Sequence, residues 1–175
     1  SDQYTENHEL LVNNTTTFNK YYTIYSSRQT YLALQPALRQ VEDQNLAMFL
    51  CPELIRHLKT RELTAVQKQV KTYLQQALVA FTIAKVAHEG IFLIDAGSIM
   101  LRFDVLSTDK VQAVDPTYLD RTTSRQNDNG NNYLKLAKDI ILANLNEFNQ
   151  CSSPIIQGKD TGGYQAYNTA SVLSL

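Results

Sequence analysis

The strongest constraint on the fold is a change of apolar period between residues 64 and 103. Val66, Val70, Tyr73, Leu74, Ala77, Leu78, Phe81 and Ala84 recur at three- and four-residue intervals, as the buried stripe of one long helix does. Thr64 suits the N-cap of that helix, because its hydroxyl can accept an orphan backbone N–H, and Gly90 suits its end. Ala77, Ala80, Ala84 and Ala87 are small, so a second helix can approach closely. Directly afterwards the period shortens. The runs 91–94 (IFLI) and 99–103 (IMLRF) are rich in β-branched and aromatic residues and are separated by Asp95-Ala96-Gly97-Ser98. Gly97 can take the left-handed backbone that a short hairpin loop needs. A two-stranded hairpin is marginal alone in water, so something must cover it, either the helices or a partner.

The remaining segments are mostly helical. Pro36 suits a first helical turn, and Leu34, Leu38, Val41, Met48 and Phe49 follow at helical spacing, with Arg39, Gln40, Glu42 and Asp43 opposite. Pro52 ends that segment and opens another, with Leu54, Ile55 and Leu58 inward. Asp115-Pro116 can cap a helix, but NDNGNN at 127–132 reads as an interruption or flexible break. From about residue 132 to 148, Tyr133, Leu134, Ala137, Ile140, Ile141, Leu145 and Phe148 form another stripe. Whether the two patches are one helix stays open. The expected fold is therefore mainly α: a bundle of four to five helices with one β-hairpin, 91–105, inserted after the long central helix. The helical domain spans 31–150. A Tyr/Asn/Thr-rich N-terminal arm precedes it at 1–30, and a Gly/Ser-rich C-terminal tail follows at 151–175. Tyr21, Tyr22 and Tyr25 read as covering a core edge, with contacts to a neighbour as the alternative.

Composition narrows the class. Sixteen basic side chains balance seventeen acidic ones, so no overall field favours nucleic acid, a membrane or a polyanion. The greasiest helical stretch, LVAFTIAKVA, is about half a membrane span, and the N-terminal residues carry no apolar leader pattern. Cys51 and Cys151 stand far apart without a CxxC partner; a reduced, cytosolic setting is the simpler reading, with one disulfide as the alternative.

No motif specifies a reaction. His88-Glu89 begins a zinc-protease signature, but Phe92 stands where the second histidine belongs, beyond Gly90. NDNGNN has an EF-hand's central glycine, yet Arg125 and Leu136 occupy the essential carboxylate positions. GKDTGG at 158–163 has its lysine ahead of the glycines, the reverse of a phosphate-binding loop. His8, His57 and His88 form no recognisable triad, and capping already accounts for Asp115. Catalytic, cofactor and metal assignments are therefore none. Arg56, Lys59, Arg61, Lys68 and Lys71 form a mild basic face. Its default reading is a solvated helix surface, and its functional reading is phosphate contact.

Three stretches carry a resemblance: LQPALRQVEDQNLAMFLCPELIRHLKT, VKTYLQQALVAFTIAKVAHEGIFLIDAGSIMLRFD and LKLAKDIILANLNEF. Their order is similar to an uncharacterised family found in phages and prophages of gut anaerobes, itself similar to the head–tail connector (head completion) proteins of tailed phages. Leu34, Pro36, Leu38, Val41 and Glu42 match an L-x-P-x-[LI]-x-x-[AV]-E-like helix start. Pro52-Glu53-Leu54 matches a proline turn into a short helix, and 77–97 matches an Ala-rich helix running into a strand and glycine turn. The likeness covers roughly residues 30–150.

It implies a non-enzymatic assembly protein that self-associates or docks on a portal- or tail-like ring, in the host bacterial cytoplasm and then the virion. It also implies that the hairpin is assembly surface or its support, through Ile91, Phe92, Leu93, Ile94, Ile99, Met100, Leu101 and Phe103. The alternative is a cytoplasmic helical adaptor or regulator that binds protein or DNA through the basic face. An enzyme of unrecognised type ranks below both.

Overall fold

The computed structural model of the chain describes residues 9–95, 97–101 and 115–156. Five helices and a hairpin follow in order: α1 (Thr15–Tyr21), α2 (Arg28–Val41), α3 (Pro52–Leu58), α4 (Ala65–Val86), β1 (Phe92–Asp95), β2 (Ser98–Leu101) and α5 (Pro116–Ala143). The mainly helical bundle with a hairpin after the long helix is thus the observed architecture.

Helix α4 is the axis of the core. Thr64 caps it through a reciprocal box: the Gln67 N–H donates to the Thr64 hydroxyl, and the Gln67 side chain accepts the Thr64 N–H. Leu74, Ala77, Leu78, Phe81, Ile83 and Ala84 are buried. Helix α5 lies along α4 and is one continuous helix of 28 residues. NDNGNN is therefore no break; its Gly130 lies inside the helix, against α4. A Cβ at Gly130 would lie only 2.5 Å from Cε1 of Phe81. Glycine there lets the Phe81 ring lie directly on the α5 backbone, and tertiary packing outweighs its poor helix propensity. The stripe expected over 132–148 closes with a 3₁₀ turn at Leu145–Glu147, and Phe148 is fully buried.

Helix α2 starts at Arg28, capped by the Ser27 hydroxyl, with Pro36 inside it rather than at its start. The carbonyl four residues earlier loses its partner at Leu32, whose side chain is 44% exposed, so water can satisfy it. A π turn, Glu42–Leu46, continues α2. The extra residue it accommodates rotates the succeeding residues by about 100° relative to a regular helix. Met48, expected inward, is consequently 71% exposed. Glu42, expected outward, is buried for a simpler reason: it stands four residues after Leu38 and eight after Leu34, on the buried face of α2.

The described part of the N-terminal arm packs into the core, with Tyr22 buried in it and Tyr21 lying against it. Leu10, Leu11, Val12, Phe18, Tyr22 and Ile24 are buried, although Tyr25 is exposed. Extended backbone can enter the interior only if its polar groups find partners. Glu42 accepts the Leu11 N–H at 2.8 Å, the Gln75 amide donates to the Leu11 carbonyl at 2.8 Å, and the Tyr31 hydroxyl donates to the Val12 carbonyl at 3.0 Å. Glu42 also pairs with Lys59.

The far end of the described chain is tied down as well. Cys51 and Cys151 form a disulfide, so the expectation of reduced thiols is overturned. The backbone beside it pairs too: the Cys51 N–H donates to the Pro154 carbonyl, and the Ile156 N–H to the Phe49 carbonyl. The first residues assigned to the C-terminal tail therefore belong to the bundle. Phe103, the hairpin beyond 101, His8, and GKDTGG at 158–163 lie outside the described residues.

Candidate functional site

The hairpin is antiparallel, with Phe92 opposite Leu101, Leu93 opposite Met100, Ile94 opposite Ile99 and Asp95 opposite Ser98. Gly97 takes φ +107° in the two-residue turn, the conformation its position demands. Residues paired across strands share a face. Phe92, Ile94 and Ile99 are buried in the chain's own core, with Leu101 half-buried beside them. These four of the anticipated interface residues thus hold the hairpin down and are withdrawn from any docking face. Leu93 and Met100 point the other way, Met100 at 38% exposure, and Ile91 just before β1 is 55% exposed.

The outer face is held in place from the N-terminal side. The Ile99 N–H donates to the Thr23 carbonyl at 2.9 Å, and the Thr23 N–H to the Gly97 carbonyl at 3.3 Å. Next to Thr23, Tyr25 and Ser26 have φ of +52° and +53°, uncommon for residues with side chains. This bend sets the Tyr25 ring over the turn, where its hydroxyl hydrogen-bonds to the Ser98 hydroxyl at 3.2 Å. The result is a fixed apolar surface of Tyr25, Ile91, Leu93 and Met100. Thr23 occupies one edge of β2, and among the described residues no strand pairs with the outer edge of β1.

The basic face divides likewise. Lys59, Arg61, Lys68 and Lys71 line one cavity of about 320 Å³, together with Asn13, Thr60 and Leu63; Arg56 is exposed but is not among the lining residues. Lys59 is neutralised by Glu42 and donates to the Glu9 carbonyl at 2.6 Å. Arg61, Lys68 and Lys71 form no ion pair with a described carboxylate. Burial holds the Lys71 amine below the ordinary lysine value. Helix α4 contributes Lys68 and Lys71, while the α3–α4 connection contributes Thr60, Arg61 and Leu63.

The two described histidines, His57 and His88, each have a side-chain partner. His88 lies two residues past the end of α4 and meets Asp120 of α5 at 3.3 Å on the surface. His57 shares a 3.1 Å hydrogen bond with Gln67 of the capping box. Asp115 caps α5 by accepting the Thr117 N–H. Among the described residues, the group that brings metal-ligand side chains together is Cys51, Glu53 and Cys151. Its sulfurs are joined as a disulfide, and it is the thiolate form that binds metals.

Sequence reasoning missed Gln75, set Glu42 on the outward face, and named Tyr25 only among the arm tyrosines. Each matters through a long-range partner, which spacing does not reveal; the only local signal was an acid at the point where the helical stripe falters. No family model, curated protein or solved structure matches the chain. No described helix is long and apolar enough to cross a membrane.

Proposed function

We propose that this chain is a non-enzymatic assembly protein of a phage or prophage particle, akin to a head–tail connector, that works by self-association or by docking on a ring. The observation that carries this reading is the outward apolar face of the hairpin, Ile91, Leu93 and Met100 with Tyr25. Its inner face is occupied by the core, so the outer residues are held rigidly and contact costs little ordering entropy. Among the described residues no strand pairs with the outer edge of β1, which suits it to an incoming strand. The disulfide supports a working life in an oxidising setting, as on a virion, rather than solely in reducing cytosol.

Sedimentation velocity over a wide concentration range tests the proposal, with Leu93→Asp/Met100→Asp as the comparison. The wild type should self-associate, or should bind isolated portal-like rings, while the double variant stays a folded monomer. A wild type that remains monomeric at every concentration and ignores such rings sinks the proposal. Association that the double variant leaves intact removes the hairpin from it.

A further inference from the structure

We propose that the cavity between the α3–α4 connection and α4 is a binding site for a small multivalent oxyanion, a phosphoryl-bearing ligand, held by Arg61, Lys68 and Lys71. This site is separate from the hairpin face and does not depend on the assembly reading.

Three features carry the assignment. The first is convergence: four cationic side chains from two parts of the chain surround one cavity, and no carboxylate is among its lining residues. Arg61 and Lys68 are exposed and Lys71 is half-buried, so the charges line a concavity that is open to an entering ligand. The second is the split between paired and unpaired cations. Lys59 is taken by Glu42, while Arg61, Lys68 and Lys71 have no described acidic partner. The third is Lys71, half-buried on α4 and disfavoured in its charged form by desolvation alone. A partly buried cation without a counter-charge is unfavourable in the empty protein, and an entering anion relieves that.

The ligand's class follows from size and donors. About 320 Å³ lies at the low end of small-ligand sites, which run from roughly 300 to 1,000 Å³. Lysines supply rotatable point charges and Arg61 a planar fork, a donor set suited to phosphoryl oxygens. A nucleic-acid face, by contrast, presents a stripe of cations along a backbone. Arg56, which would extend the cluster into such a stripe, does not line the cavity.

Calorimetric titration of the full chain with inorganic pyrophosphate tests the site, and a short DNA duplex is the second arm. Saturable one-to-one binding of pyrophosphate is expected. Lys71→Met and Lys68→Met should each weaken it by at least about tenfold, the loss of one charge-assisted contact. Arg56→Met should leave it unchanged. Circular dichroism establishes that each variant is folded; if Lys71→Met is not, Lys68→Met and Arg61→Met decide. Absence of saturable pyrophosphate binding overturns the assignment, as does binding indifferent to the folded variants. Tighter binding of the duplex, weakened by Arg56→Met, overturns it in favour of an extended nucleic-acid surface.

Discussion

Replacing Gly130 with alanine sets two opposing effects against each other at one atom. In a helix interior, alanine is favoured over glycine by about 0.8–1 kcal/mol, so on an exposed face the change would stabilise α5. At this position the added methyl would stand 2.5, 2.6 and 2.8 Å from Cε1, Cζ and Cδ1 of Phe81. Comfortable carbon contacts lie at about 3.5–4.0 Å, so ring and helix must separate by about 1 Å. Phe81 is only 3% exposed, so its ring can yield only by displacing other close-packed side chains.

Overpacking of this kind costs about 1–3 kcal/mol. With the clash near the upper end of that range, the net destabilisation is about 1–2 kcal/mol, which lowers the melting temperature by about 2–8 °C in a domain of this size. Urea denaturation followed by circular dichroism, with the disulfide intact, measures it. Phe81→Leu should itself cost about 1–2 kcal/mol, and in that background Gly130→Ala should become neutral or stabilising. If Gly130→Ala stabilises the otherwise unchanged protein by its full propensity difference, the close approach of α4 and α5 is wrong.

Three further outcomes are expected from the same structure. Removing the disulfide (Cys51→Ser/Cys151→Ser) opens a loop with a sequence separation of 100, and chain entropy predicts a loss approaching about 4–5 kcal/mol, measured as a shifted urea midpoint. Glu42→Gln leaves Lys59 without its counter-charge and weakens the acceptor for the Leu11 N–H; a loss of about 3 kcal/mol is expected, with faster hydrogen exchange at residues 10–12. Burial raises the Tyr31 phenol above 10.0, so the unfolded chain ionises first and stability falls as pH rises above about 10. Tyr31→Phe should lose about 1 kcal/mol at neutral pH, from the bond to the Val12 carbonyl, and show a shallower alkaline decline. Lys71, lowered by burial, acts in the opposite sense, its penalty easing as pH climbs towards 10.5, so the comparison is best made in Lys71→Met.

Local pattern made part of the molecule legible in the sequence. The α4 stripe, its Thr64 cap, the Pro52 helix start and the Gly97 turn are each encoded by a few neighbouring residues, and each is present. The failures have one cause: a distant partner outweighed the local signal. Phe81 across the interface makes Gly130 useful inside a helix. Glu42 lies on the buried face of α2, four residues after Leu38, and is kept there by the Leu11 N–H and Lys59; the arm's scattered apolar residues, Leu10, Leu11 and Val12, are held inside by the same contacts. For the site, strand alternation could have separated Leu93 and Met100 from Phe92, Ile94 and Ile99. The contacts of Thr23 and Tyr25 with β2, made from about seventy residues upstream, have no local signal. The basic cluster was visible as composition; its concavity, and the exclusion of Arg56, were not.

The bond between Cys51 and Cys151 also changes how the chain would carry tension. A pull applied at the two flanks passes from one sulfur to the other and bypasses everything between them. About 330–360 Å of contour stays locked behind that link, however far the rest is drawn out. The segments at residues 61, 68 and 71, and the ribbon beyond them, therefore lie on the unloaded side of a covalent shunt. Their geometry can persist when the flanking segments are strained, for as long as the sulfurs stay joined.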